Sequence, residues 1–113
     1  MIPFLALLLF LQTPAKDYLA SLDAAAQSLA SSQIEAAATH AEKALATLQS
    51  LGKPYKNTGH YKRVELRLRA LLRRADSLVK DTPIDTRPAA QAAYDRINAV
   101  HEKVLAGVMS KKE

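Results

Sequence analysis

His101, with Tyr61 and Tyr94, is the candidate in this chain for proton-transfer chemistry. His101 lies between Ile97 and Val104, in the apolar stripe that helical spacing predicts for this segment. Tyr61 and Tyr94 occupy apolar stripes of their own segments, so these two and His101 form a candidate buried polar cluster. A histidine in such a stripe usually satisfies its ring nitrogens with a tyrosine or a backbone group. Proton transfer would require a second ionisable group beside it, and the sequence identifies none.

Motifs for metal binding and nucleophilic catalysis are incomplete. His101 and Glu102 begin like the helix of a zinc protease, but Leu105 stands where the second histidine is required. No histidine follows an Asp or Glu by three or four residues, as the di-metal sites of helical bundles require. The chain has no Cys, which excludes disulfides, thiolate metal sites and a cysteine nucleophile. We therefore predict a protein that is not an enzyme, with no catalytic residues, no metal and no cofactor.

Basic residues are concentrated between residues 53 and 80, a segment that contains nine Lys or Arg and only two Asp or Glu. On a helix these residues fall on two flanks of the apolar stripe. The first flank consists of Lys62, Arg69, Arg73 and Lys80. Glu65 precedes Arg69 by four residues, which is the favourable order for a helical ion pair. Asp76 stands in the same relation to Lys80, so the first flank is partly neutralised.

The second flank consists of Arg63, Arg67 and Arg74. These arginines have no acidic partner within their own helix, so they form the candidate row that faces an anion or a protein partner. The alternative is a solvated face whose long side chains cover the apolar edges of the helix. No helix-turn-helix, zinc-finger or aromatic single-strand signature accompanies the row.

Residues 2 to 11 form an uncharged apolar block, followed by Thr13, Pro14 and Ala15. An apolar stretch of about 7 to 15 residues before small residues is typical of a secretory signal. We predict a signal peptide over residues 1–15, cleavage after Ala15 and export to the periplasm or the medium. The block lacks the usual preceding Lys or Arg, and it is shorter than the roughly 20 residues of a membrane span. An uncleaved anchor and a buried core helix are the alternatives.

The remaining chain, residues 16–113, is one domain with four segments of helical periodicity. We predict helices at about 16–30, 33–51, 60–80 and 87–109. Ser32 and Glu35 fit a capping box that starts the second helix, and Gly52 suits its end. An unbroken helix over residues 16–51 is the alternative to this break.

The linker before the third helix contains Gly and Pro and ends in two candidate N-caps, Asn57 and Thr58. Asp81, Thr82 and Pro83 end that helix, and Pro88 suits the first turn of the next one. Four helices with short connections predict an all-α fold after the N-terminal signal segment. It is either a four-helix up-and-down bundle or two stacked helical hairpins. With no Phe or Trp after residue 15 and many Ala, the core is thin, and self-association as a homo-oligomer would add to it.

Small side chains recur along the two predicted helices within residues 17–51. Ala37 and Ala44 are seven residues apart in the second of these helices. This part of the chain resembles a single hairpin of the tetratricopeptide type. The resemblance covers under a third of the chain. It implies a module that binds other proteins, although one copy does not form the extended concave surface of a repeat array.

Together these features predict a small exported helical protein with a non-catalytic, protein-binding or structural role in the bacterial cell envelope. Its protein partner is not identified by the sequence. The alternative is a basic helical module that contacts nucleic acid or anionic lipid through the third helix. Export disfavours nucleic acid, and we expect membrane contact only through an uncleaved N-terminal segment or through weak electrostatic attraction.

Overall fold

The computed structural model describes residues 17–111, which form four α-helices and one short 3-10 helix. The helices are α1 (Asp17–Ala30), α2 (Ile34–Gln49), α3 (Thr58–Asp81) and α4 (Arg87–Val108), with the 3-10 helix at Pro54–Lys56. Over this part of the chain there is no β-strand. The prediction of an all-α fold with four helices is confirmed. The predicted signal peptide, residues 1–15, lies outside the described residues.

A tight reversal separates α1 from α2, so the two helices form a hairpin and not one unbroken helix. Ser32 has a φ of 60°, in the left-handed region. Its amide donates to the Leu29 carbonyl at 3.0 Å, and the Gln33 amide donates to the Ser28 carbonyl at 2.7 Å. This pair of bonds is a Schellman motif, which satisfies the last carbonyls of α1.

The predicted capping box is therefore wrong. Gln33, not Ser32, stands at the N-cap of α2, and no side chain caps the helix there. Ser32 is unsuited to this role because it already ends the preceding helix in a left-handed conformation, whereas an N-cap residue usually has extended backbone angles. A three-residue reversal leaves no room for both motifs.

The linker between α2 and α3 turns at Gly52, whose φ of 115° suits a residue without a Cβ. Asn57 occupies the N-cap position of α3, as the sequence predicts, but its side chain makes no bond to the helix. The Asn57 amide instead donates to the carbonyls of Leu51 and Lys53, at 3.3 and 3.0 Å. Asn57 therefore stabilises the linker that joins the two hairpins.

The second connection, between α3 and α4, is held by Arg87. α3 ends at Asp81, and Thr82 is extended because it precedes Pro83. The Arg87 guanidinium donates to the Thr82 carbonyl at 2.8 Å and to the Lys80 carbonyl at 3.2 Å. A cation at this position also complements the negative end of the α3 dipole.

The two hairpins stack side by side, with α1 along α3 and α2 along α4. Near the start of both helices, the Tyr18 hydroxyl lies 2.6 Å from His60 Nδ1. Further along, Asp23 lies 2.7 Å from Arg67. Because the residue numbers of these contacts increase in the same direction in both helices, α1 and α3 run parallel. One end of the bundle therefore carries the start of α1, the linker between α2 and α3, and the end of α4.

Small and aliphatic side chains form the core between these helices. α2 packs against both α1 and α4, and four of its inward positions are fully buried alanines. The buried alanines of α2 are Ala37, Ala38, Ala41 and Ala44. Larger buried side chains come from all four helices, among them Leu22, Leu48, Leu68 and Val104.

Replacing Gly107 with alanine should destabilise the fold. A Cβ at this α4 position would overlap the ring of Tyr61, which is only 3% exposed, so the ring or the helix would have to shift. We expect overpacking of about 1–3 kcal/mol to exceed the gain of up to ~1 kcal/mol that alanine normally gives in a helix. Urea denaturation measures the free energy of unfolding of each protein.

The matched control for this change is Gly59→Ala, in the first turn of α3, where an added Cβ meets nothing within 4 Å. This control should leave the free energy of unfolding unchanged or raise it. Equal stability of the Gly107→Ala and Gly59→Ala proteins would show that the Tyr61 ring does not pack on Gly107.

Candidate functional site

The two basic flanks of α3 face different neighbours. On the α1 side, Arg63 Nη1 donates to the Tyr18 hydroxyl at 3.0 Å, and Arg67 pairs with Asp23 at 2.7 Å. Arg74 is exposed and makes no ion pair with any residue between 17 and 111. The predicted row of Arg63, Arg67 and Arg74 thus lies along the edge of α3 that borders α1. Arg67 has an acidic partner, and it comes from the neighbouring helix.

Tyr18, His60 and Arg63 form a small network at the start of this edge. Arginine can only donate hydrogen bonds, so the buried Tyr18 hydroxyl accepts from Arg63 and is free to donate to His60. His60 Nδ1 lies 2.6 Å from this hydroxyl and accepts from it in the tautomer that carries the ring proton on Nε2. The Tyr18 and His60 rings also meet edge to face, with centroids 5.7 Å apart. This network fixes the start of α1 against the start of α3.

Further along the same edge, a shallow groove of about 230 Å³ runs between α1 and α3. Its lining is mostly apolar and consists of Leu22, Asp23, Ala26, Arg67, Ala70 and Leu71. Ala26 and Ala70 are exposed, so small side chains leave the groove open to solvent. The Arg67–Asp23 ion pair bridges its two sides.

The other flank of α3 is tied to α4 through a buried carboxylate. Glu65 is 5% exposed, and its Oε2 accepts from His101 Nε2 at 2.7 Å. The same oxygen accepts from Arg69 Nε, so the ion pair predicted from the four-residue spacing is confirmed. The second predicted pair, Asp76 with Lys80, is also present, at 2.9 Å.

Two opposing effects act on the Glu65 carboxyl. Burial alone would raise its pKa, because desolvation disfavours the charged form. The hydrogen bonds and charges of His101 and Arg69 outweigh burial, so the pKa of Glu65 lies below its ordinary value of 4.5. Glu65 is therefore an ionised acceptor that joins α3 to α4 at neutral pH.

The three members of the predicted polar cluster lie at separate positions along the α3–α4 interface. Tyr61 packs against Gly107, and burial raises the pKa of its hydroxyl. Tyr94 is half-buried, two turns before His101 on α4. Within residues 18–111 neither tyrosine makes a side-chain hydrogen bond, and the partner of His101 is Glu65.

Glu65 is the ionisable neighbour of His101 that sequence reasoning did not find. Its position gives a signal, since it follows Tyr61 by four residues and precedes Leu68 by three, and both of these are buried. A carboxylate in an apolar stripe requires a donor from the helix that packs on it. Which helix supplies that donor follows only from the fold.

The Glu65–His101 pair has a structural role, because it joins α3 to α4 and lines none of the surface depressions described for residues 18–111. The three surface depressions described for this part of the chain are lined by other residues. Within residues 17–111, no group of three or more His, Asp or Glu could hold a metal ion. Among the helices of the same region, none combines the length and apolar character that crossing a membrane requires.

Comparison with known proteins gives no relative: the chain matches no family model, no curated protein and no solved structure.

Replacing Glu65 with glutamine should remove a stabilising contribution that depends on pH. Because the folded pKa of Glu65 is lowered, its contribution is complete above about pH 4.5 and is lost as the pH falls through the folded pKa. We expect Glu65→Gln to cost about 1–3 kcal/mol at neutral pH, since His101 and Arg69 lose a charged acceptor. The deficit relative to the unchanged protein should shrink as the pH falls below 4.

Urea unfolding at pH 7 and at several lower pH values measures this deficit. The matched control is Glu102→Gln, which removes an exposed carboxylate from the position next to His101. This control should change the free energy of unfolding little at any pH. A Glu65→Gln deficit of the same size at neutral and acidic pH would contradict the assignment of an ionised, paired Glu65.

Proposed function

We propose that this chain is an exported, non-catalytic component of the bacterial cell envelope that binds a partner protein. The contact surface is the α1–α3 face, which comprises the groove between these helices and the bordering arginines Arg63, Arg67 and Arg74. The observation that carries the proposal is the open, mostly apolar groove beside this basic row.

The composition of the α1–α3 face suits a segment of another protein. Leu22 and Leu71 supply an apolar floor, while the small side chains of Ala26 and Ala70 let a partner approach the helices closely. Protein interfaces combine an apolar centre with a polar rim and are enriched in arginine. Arg74 at the border makes no ion pair between residues 17 and 111, so a partner segment with an acidic residue would complement it.

Export is supported by the N-terminal sequence and by the position of the first helix. The apolar block over residues 2–11 precedes the small residues Thr13 and Ala15. α1 begins at Asp17, so cleavage after Ala15 would leave every described helix intact. Because the chain has no Cys, an oxidising compartment neither adds a disulfide to the domain nor oxidises a thiol in it.

The export proposal predicts the mass and the location of the mature protein. Expression of the full chain with a C-terminal tag in a Gram-negative host should give periplasmic protein. Its intact mass should lack residues 1–15, because signal peptidase cuts after small residues. Full-length protein recovered from the cytosol would contradict export.

A second candidate function is contact with an anionic polymer or surface through α3. Of the seven basic side chains of α3, three have carboxylate partners: Arg67, Arg69 and Lys80. Lys62, Arg63, Arg73 and Arg74 pair with no carboxylate of residues 18–111. Leu66, between the two flanks, is 60% exposed. Binding that weakens steeply with salt would favour this function, since phosphate contacts release counterions.

Photo-crosslinking in cells that naturally produce the protein tests the α1–α3 face. A photoreactive amino acid at Ala26 or Ala70 lies in the groove and should capture the same discrete partner protein from both positions. The matched controls are Ala46 on α2 and Ala99 on α4, which are equally small and exposed but lie outside the groove. The partner should be absent from both controls.

Arg74→Glu combined with the groove probe should weaken capture, because it reverses the charge that complements the partner. Capture of the same protein at all four positions would show that the contact is not confined to the α1–α3 face. Capture of nucleic acid in place of protein would favour the second candidate function.

A further inference from the structure

A cluster of basic and hydroxyl groups occupies the end of the bundle where α4 finishes. Lys53 and Tyr55 from the α2–α3 linker meet Ser110 and Lys111, which follow α4, around an open depression of about 320 Å³. Lys56 is adjacent, with its ammonium group 5.9 Å from the centroid of the Tyr55 ring. We call these five residues the basic tip. They come from segments about 55 residues apart, so the fold, not local sequence, assembles them.

The chemistry of the basic tip suits phosphate. Among the residues that the structure describes, its depression is lined by two ammonium groups and two hydroxyls, with no acidic side chain. Lys53, Lys56 and Lys111 are exposed and form no ion pair with another residue of the range 18–111. Lysine acts toward phosphate as a point charge, and hydroxyl groups add hydrogen bonds to its oxygens.

Exposed apolar side chains adjoin the basic tip. Met109, which precedes Ser110, is 71% exposed, and Leu105 is 38% exposed. These two residues are four apart at the end of α4, so they lie on the same face. Exposed apolar groups, a tyrosine and lysines with long aliphatic stems are the combination that partitions into the interface of an anionic membrane.

The N-terminal segment joins the bundle at the same end. The contact of Tyr18 with His60 places the start of α1 beside the start of α3, next to the linker that carries Lys53. In the sequence, the apolar block over residues 2–11 is separated from Asp17 by five residues. A chain of this length spans at most about 20 Å. Before cleavage, while residues 2–11 are held in a bilayer, the basic tip is therefore the end of the bundle nearest to it.

We propose that the basic tip binds the phosphate groups of anionic phospholipids, so that the bundle stands end-on on a membrane surface. Lys53 and Lys111 supply the charges, Tyr55 and Ser110 donate hydrogen bonds, and Met109 enters the interface. This contact uses a different part of the molecule from the α1–α3 face and does not depend on that proposal. It also differs from contact through α3, because it requires neither Arg73 nor Arg74.

Vesicle flotation with the full chain tests the basic tip. The protein is mixed with vesicles of phosphatidylcholine alone or of equal parts phosphatidylcholine and phosphatidylglycerol. Lys53→Glu/Lys111→Glu should lower the affinity for the phosphatidylglycerol vesicles by about tenfold or more. The matched control is Lys43→Glu/Lys80→Glu, which changes the net charge equally at exposed positions of α2 and α3 outside the tip. Because every variant keeps residues 1–16, any contribution of the apolar block is constant.

The control double variant should keep the affinity of the unchanged protein within about threefold, since charges beyond the Debye length of the surface contribute little. All four substituted side chains are exposed, and circular dichroism verifies the helical fold of each variant. Equal loss in both double variants would show attraction by net charge alone and would overturn the proposal. Equal binding of the unchanged protein to both vesicle types would do the same.

Two further measurements separate lipid from other sources of phosphate. The first is an NMR titration with inorganic phosphate. Shifts of the Lys53 and Lys111 amide signals that reach a plateau, without preference of the protein for phosphatidylglycerol vesicles, would assign the site to a free anion and overturn the lipid proposal. Loss of duplex DNA binding in Lys53→Glu/Lys111→Glu, with vesicle binding unchanged, would assign the tip to nucleic acid. Loss confined to phosphatidylglycerol vesicles supports the proposal.

Discussion

The fully buried alanines of α2 are the constraint on which the arrangement of the bundle depends. Ala37, Ala38, Ala41 and Ala44 occupy the middle of its inward face, and α2 packs on α1 at one side and on α4 at the other. Small side chains allow neighbouring helices to approach closely. The seam between α2 and α4 is therefore closed, whereas the opposite seam, between α1 and α3, packs less extensively and keeps a groove.

Two polar links then fix the rotation of α3 about its axis. Burial of the Glu65 carboxylate is tolerated only because His101 of α4 and Arg69 donate to it. On the other side, Arg63 donates to the buried Tyr18 hydroxyl of α1. With both edges of the helix held, Leu66 and the unpaired basic residues face outward. The distribution of charge on the surface is thus a consequence of which acids and hydroxyls the neighbouring helices supply.

Periodicity and local rules predicted the four helices, the turn at Gly52 and the pairing of Glu65 with Arg69, because each depends on residues close in sequence. The capping box failed because Ser32 satisfies the end of α1, a competing use that the same residues allow. The contacts of Arg67 with Asp23 and of His101 with Glu65 span 44 and 36 residues. Such contacts follow from which helices become neighbours, and the apolar stripes do not specify that choice.

The geometry of the bundle relates the two proposed surfaces to each other. α1 starts at the end that carries the basic tip, and a helix rises about 1.5 Å per residue. The part of the groove between Leu22 and Ala26 therefore lies about 8–14 Å along α1 from its start. A bundle standing on its tip would present the α1–α3 face sideways, just beyond the lipid headgroups. That orientation favours a partner that itself lies close to the membrane. A partner far from the membrane would have to extend past the opposite end of the bundle to reach the groove.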